Sequence, residues 1–188
     1  MLDGDQKIIN SAISGKASAF GLLYDKYHAQ IYRFIYLKVS HREEAEDLTH
    51  QVFLNAWQNI KKYEFKGFPF SSWLYQIARN QVIDHYRTKK SNIDIEDIKE
   101  IKNDDDTLDN QVNRNYEIEK VKNVIQNLNP EHQDIIIMKF VEELTSQEIS
   151  KILNKPQSTI RVIQHRAVKN LRNMLKKENK NGQKKQIK

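Results

Sequence analysis

The chain has no cysteine, only three prolines and five glycines in 188 residues, and no long apolar run. Without cysteine, disulfides, thiolate metal sites and thiol catalysis are excluded. The longest purely aliphatic stretch, Ile135-Ile136-Ile137-Met138, is far too short to span a bilayer. Met1-Leu2-Asp3-Gly4-Asp5 lacks the basic start and apolar run of a signal peptide, so the expected location is the cytoplasm, with no membrane insertion. Scarce glycine and proline with abundant Lys, Glu, Gln, Ile and Leu favour helix, and no alternating strand pattern persists. A phosphate-binding glycine loop is also missing.

What is present is charge. Charged residues make up 30% of the chain and hydrophobic residues 38%, so its cores must be small. The net charge is +6 and the pI about 9.3, a balance that suits a polyanionic partner without identifying one. This charge is unevenly spread. Residues 91–112 hold eight acids and two lysines, a net −6, which leaves +12 for the rest of a chain totalling +6. Such a run has too little apolar surface to fold alone. The chain therefore reads as a first block, 5–90, an acidic flexible linker, 91–114, a second block, 115–176, and a basic tail, 177–188, expected to be disordered.

In the first block the pattern predicts a short helix over about Asp5–Ser14, stopped near Gly15, and a long one over about Ser18–Val39. The long helix carries Phe20, Leu23, Tyr24, Tyr27, Ile31, Phe34, Ile35 and Val39 at three-to-four spacing, an apolar stripe. Ser40-His41-Arg42-Glu43 reads as a capping box opening a third helix, with Leu48, Val52, Phe53, Ala56 and Trp57 on one side. A fourth, over about Phe70–Thr88, follows the loop around Lys66-Gly67-Phe68-Pro69, with Trp73, Leu74, Ile77 and Ile83 as its inner face. In the second block a helix over about Asn115–Leu128 ends before Asn129-Pro130, a cap followed by a first-turn proline. The next helix holds Ile135, Ile136, Met138, Phe140 and Val141. Thr145-Ser146-Gln147-Glu148 is a second capping box, Asn154-Lys155-Pro156 a tight turn, and the last helix runs over about Gln157–Lys176. The fold class is all-α: two small helical domains joined by an acidic flexible linker, the second containing a helix-turn-helix.

Three constellations stand out. A helix-turn-helix places its second helix in the major groove. Here that helix offers Gln157, Ser158, Thr159, Arg161, Gln164, His165 and Arg166 to base edges, with Lys169 and Arg172 placed for phosphates and Ile160, Ile163, Ala167 and Leu171 turned inward. Alternatively this is a helical hairpin with a solvated basic face. Around the loop, Phe65, Phe68, Phe70, Trp73, Tyr75 and Tyr86 alternate with Lys66, Arg79, Asn80, His85 and Arg87. Aromatic faces stack on unpaired bases at roughly 1–3 kcal/mol each. The competing reading makes Trp73, Phe70 and Phe65 bundle core. Third, Glu43, Glu44, Glu46 and Asp47 run into His50 and Gln51 as a solvated helix start or a docking face for a basic partner. Asp25 with His28, and Asp47 with His50, also set a carboxylate and an imidazole one turn apart, as helical-bundle metal sites do. No acid stands in the apolar stripes as a further ligand, so neither a metal nor another cofactor is expected.

Glu46-Asp47-Leu48-Thr49-His50-Gln51-Val52-Phe53, Phe70 to Asn80 with Asp84, and Leu128-Asn129-Pro130, Phe140 and Leu144 to Leu171 together resemble the extracytoplasmic-function type of RNA polymerase sigma factor. The resemblance covers nearly the whole chain apart from linker and tail. It implies a non-enzymatic transcription initiation factor. Glu46, Asp47, Leu48, Thr49, His50, Gln51 and Phe53 would bind core polymerase at its beta-prime clamp helices. Phe65, Lys66, Phe68, Phe70, Trp73, Arg79, Asn80, Asp84 and Arg87 would melt and read the −10 element as single strand. The second domain would read the −35 duplex through Gln157, Ser158, Thr159, Arg161, Gln164, His165, Arg166 and Lys169, beside the beta flap. An anti-sigma factor is a further partner the resemblance implies, and the acidic linker is expected to thread a basic polymerase channel. This chain departs from the pattern at His50-Gln51, where the family has Gln-Glu, at Asn154, where it has Gly, and at Val162 and Ile163, where polar and basic residues are usual. Either the −35 contact is weaker here or it shifts to Arg161, His165 and Arg166. Two rivals explain less: a polymerase-independent helix-turn-helix regulator, and a metal-dependent bundle enzyme using His28 or His50.

Overall fold

The computed structural model describes residues 2–91 and 121–185. The acidic linker from residue 92 and the helix start expected at Asn115 lie outside the described residues, so neither is tested. The chain divides into two units, Met1–Asp105 and Asp106–Lys188.

In the first unit, α1 (Leu2–Ile13), α2 (Ala17–Val39), α3 (Arg42–Asn59) and α4 (Phe70–Ser91) surround one small core. Helix α2 packs against all three others, and α3 also packs on α4. Gly15, at φ +96, ends α1 in a conformation only glycine adopts without strain. Of the predicted α2 stripe, Phe20, Leu23, Tyr27, Ile31, Phe34 and Ile35 are buried, joined by Ala19, whereas Val39 is half-buried and Lys38 beside it is buried. Burying each large apolar side chain contributes about 1.5–3 kcal/mol. Tyr24 sits at the edge of the stripe, its ring 4.8 Å from that of Phe53. The Tyr27 hydroxyl donates to Asp5 Oδ2 at 2.9 Å and Lys26 pairs with the same carboxylate, fastening α1 to α2.

Two expectations fail here. Ser40 does not cap α3. It closes α2 in the left-handed region at φ 57, its N–H bonded to Tyr36 O, and His41 takes the cap, its ring Nδ1 accepting from Glu44 N at 3.4 Å. With two helices joined by so short a connection, each of the two residues can serve only one end. The inner face of α4 is also displaced. Its buried apolar residues are Phe70, Leu74, Tyr75, Ala78 and Val82, whereas Ile83 is 42% exposed. At 100° per residue Ile83 lies opposite Leu74, so both cannot face the core.

In the second unit, α5 comprises residues 121–126 among those described. Helix α6 (Pro130–Ile136) runs directly into a π-helical turn (Ile137–Val141), and α7 (Ser146–Leu153) and α8 (Gln157–Lys185) follow. Helix α8 packs on α6 and α7. The start signals act as the sequence implies. Asn129 Oδ1 accepts from His132 N at 2.9 Å ahead of Pro130. Thr145 Oγ1 accepts from Glu148 N at 3.2 Å while Glu148 Oε2 accepts from Thr145 N at 2.7 Å. Asn154 is left-handed at φ 51. Within the π turn Phe140 is exposed and Val141 half-buried, so neither joins the predicted core of this helix, where Ile135, Ile136, Ile137 and Met138 are buried. Helix α8 continues past Lys176, so the tail expected to be disordered is helical through Lys185.

Candidate functional site

Helix α3 presents Glu43, Glu46, Asp47, His50 and Gln51 to solvent. Interleaved residues that the resemblance placed in the same contact are turned inward. Leu48 and Phe53 are buried, and Thr49 is 1% exposed with its hydroxyl donating to Ala45 O at 2.6 Å. These three side chains hold α3 on the core and offer no surface to a partner, which corrects the expectation of direct contact. Glu44 is turned aside as well. Its Oε2 lies 3.0 Å from His85 Nε2 and its Oε1 accepts from Lys89 Nζ at 2.8 Å, tying the start of α3 to the end of α4. Burial alone would raise the Glu44 pKa, but Lys89 and His85 outweigh it and hold the carboxyl below its usual range. The acidic face is therefore one charge smaller than the sequence suggests. Beside it, a groove of about 520 Å³ is lined by His28, Tyr32, Tyr36, Arg42 and Glu46.

The loop before α4 divides its aromatics into two kinds. Tyr63 and Phe70 are buried and Trp73 half-buried, their ring centroids 5.2–5.4 Å apart. Edge and tilted pairs of this kind add about 0.5–1.5 kcal/mol each beyond burial. Phe70, 2% exposed, is core and has no face to give an extruded base, contrary to the expectation from the resemblance. Phe65 is the opposite case, 51% exposed on the loop, and Phe68 is half-buried. Gly67, at φ +76, permits the turn between them. Lys66 pairs with Glu64 at 3.1 Å in solvent. On α4, Asn80, Asp84 and Arg87 are exposed on one face, Arg87 Nη2 lying 3.1 Å from Asp84 Oδ1, and Arg79 is half-buried. That face also carries exposed Ile83, which the sequence reading assigned to the core. Its position half a turn from Leu74 was the available signal.

In the second unit, Gln157, Ser158, Arg161, His165, Arg166 and Lys169 of α8 are exposed, with Thr159 and Gln164 at the margins. Ile160, Ile163 and Ala167 are buried against α6 and α7. Asn170 Nδ2 lies 3.3 Å from His132 Nδ1, a further tie between α8 and α6. Among the described residues no three His, Asp or Glu side chains converge to hold a metal, and no helix is long and apolar enough to cross a membrane. Asp25 with His28 and Asp47 with His50 thus gain no further ligand there.

Comparison with known proteins places these patches in a family. The Sigma-70 region 2 model matches residues 23–92 and the Sigma-70 region 4 model matches residues 124–173. The ECF RNA polymerase sigma factor BldN of Streptomyces coelicolor is 33% identical over 178 residues, covering 90% of this chain and 65% of BldN. SigW of Bacillus subtilis, also an ECF RNA polymerase sigma factor, is 30% identical over 182 residues, covering 91% of this chain and 96% of SigW. Among solved structures, CnrH in complex with the cytosolic domain of CnrY gives a TM-score of 0.72 at 19% identity, covering 92% of this chain and 97% of CnrH. The sigma factor RpoE in complex with the anti-sigma factor NepR, from Bartonella quintana, gives 0.65 at 20% identity, covering 84% and 96%. The two structural likenesses show the fold, and the matched sequences show the lineage: the chain belongs to the extracytoplasmic-function family of RNA polymerase sigma factors.

Proposed function

We propose that this sigma factor binds RNA polymerase core and directs it to promoter DNA in the cytoplasm, supplying binding energy and strand capture and no catalytic step of its own. The observation that carries the reading is that the two family matches each contain solvent-facing residues of the chemistry required. Exposed Glu46, Asp47, His50 and Gln51 dock on the beta-prime clamp helices. Phe65, with Lys66 and Phe68, traps an unpaired −10 base, while Asn80, Asp84 and Arg87 hold the adjacent strand against α4. Buried Phe70 and half-buried Trp73 form the wall that keeps the loop in place. Helix α8 enters the major groove of the −35 duplex, and the second unit meets the beta flap. An anti-sigma factor is a further partner under this reading, one that co-purification from the native host would reveal.

The test is a titration of labelled protein with purified bacterial core polymerase, followed by transcription from a random-promoter pool. Tight binding with recurrent upstream sequences in the transcripts supports the reading. Duplex binding without core binding points instead to a polymerase-independent regulator. Binding to neither, with stoichiometric metal lost on changing His28 or His50, points to the bundle enzyme.

A further inference from the structure

Val162 and Ile163 are adjacent apolar residues in the helix that meets DNA, and the structure gives them opposite roles. Ile163 is 7% exposed and belongs to the core with Ile160 and Ala167. Val162 is 50% exposed. Each helical residue advances about 100°, so Val162 stands one turn from Ser158 and one turn from Arg166, both exposed. It lies inside the outward polar arc of α8, not at its margin. That arc is strongly basic: residues 157–177 contain Arg161, Arg166, Lys169, Arg172, Lys176 and Lys177 and no acid. Such a face is complementary to phosphate on both sides of whatever Val162 meets.

A valine can neither donate nor accept a hydrogen bond, so it reads only shape and apolar surface. The base edges of the major groove present one apolar group, the C5 methyl of thymine. We propose that Val162 is a specificity residue of the upstream promoter element and packs against a thymine methyl, while Arg161, His165 and Arg166 contact the flanking bases and phosphates. This inference rests on the proposal that α8 enters the major groove. It makes the departure from the family's polar pattern a change in what is read. Base identity at that position is set by a methyl group in place of a hydrogen bond.

The experiment uses the holoenzyme, assembled from the full chain and core polymerase, on duplexes recovered from the random pool. Each thymine of the upstream element is replaced in turn by deoxyuridine, which preserves pairing and every hydrogen-bonding atom and removes only the methyl. One thymine, or two neighbours, should weaken binding about fourfold when replaced, the worth of one buried methyl group. Val162→Ala should lose that sensitivity and keep the response to every other base change. Because Val162 is half exposed, its thermal midpoint should match the parent's. An upstream element without thymine, deoxyuridine without effect, or a sensitivity that Val162→Ala retains would each overturn the proposal while leaving the groove reading intact. The double change Arg161→Ala and Arg166→Ala separates the two. If it leaves upstream binding unaltered, α8 is not in the groove and both readings fall.

Discussion

Ser40 occupies the left-handed region with its hydroxyl buried and without a hydrogen-bond partner. Both features cost stability: a left-handed non-glycine residue about 1–2 kcal/mol, an unsatisfied buried polar group about 1–3 kcal/mol. Glycine removes both, against about 0.4–1 kcal/mol of added chain entropy in the unfolded state. Ser40→Gly should therefore stabilise the first unit by about 1 kcal/mol, read as a raised thermal midpoint. Glu44 gives a pH dependence. Its carboxyl is held below the usual 4.5 in the folded state, so the ion group stabilises fully above that range. The contribution drains away as pH falls through the lowered value. Glu44→Gln should give a melting temperature that declines less between pH 5 and pH 3 than the parent's, about the carboxylate window. A parallel decline would mean that the His85 and Lys89 contacts contribute nothing. At this scale the sequence was half legible. It identified the stretch around Thr49 but not that the Thr49 hydroxyl turns back onto its own helix. It found the acids of α3 but not that Glu44 belongs to α4, because a partner forty-one residues away leaves no local mark.

Elements were more legible than residues wherever their ends carry their own chemistry. Gly15, Asn129-Pro130, the Thr145 and Glu148 pair and Asn154 each satisfy or terminate a helix end by local bonding, and each is found where the sequence put it. The π turn at Ile137–Val141 left no such signal, since a mostly apolar segment with no glycine, proline or capping residue reads equally well in either winding. The loop before α4 was legible in composition only. Which aromatics form the wall depends on packing against α2, seen in the 5.6 Å separation of the Tyr27 and Phe70 rings. This yields an expectation for the loop. Phe65→Ala should reduce open promoter complexes roughly tenfold, from the loss of about 1–3 kcal/mol of base stacking. The reactivity of unpaired thymines toward permanganate measures it. The thermal midpoint should not move, because Phe65 is not part of the core. Unchanged opening would remove Phe65 from the base trap.

For the whole molecule, the sequence showed two blocks and an acidic interruption, and the structure likewise divides into two units. Each unit has its own small core, which fits the modest hydrophobic content. Charge is the property that acts over the longest range. Neutralised phosphates release counterions, so binding of the upstream duplex by the holoenzyme should weaken steeply with salt. Changing Lys169 and Arg172 together to Ala should lower the slope of log affinity against log salt by about 2, one for each phosphate no longer neutralised. A slope that stays the same would place both cations away from the backbone.

Along α8, buried Ile160, Ile163 and Ala167 alternate with exposed Ser158, Arg161, Val162, His165 and Arg166. No side chain belongs to both sets. Substitutions in the outward set therefore leave the core untouched and carry little stability penalty. Promoter preference can drift, or be redesigned toward a new address, through a handful of mutations that the fold does not register. Duplicate copies of such a factor within one genome are free to diverge into insulated channels without first becoming unstable.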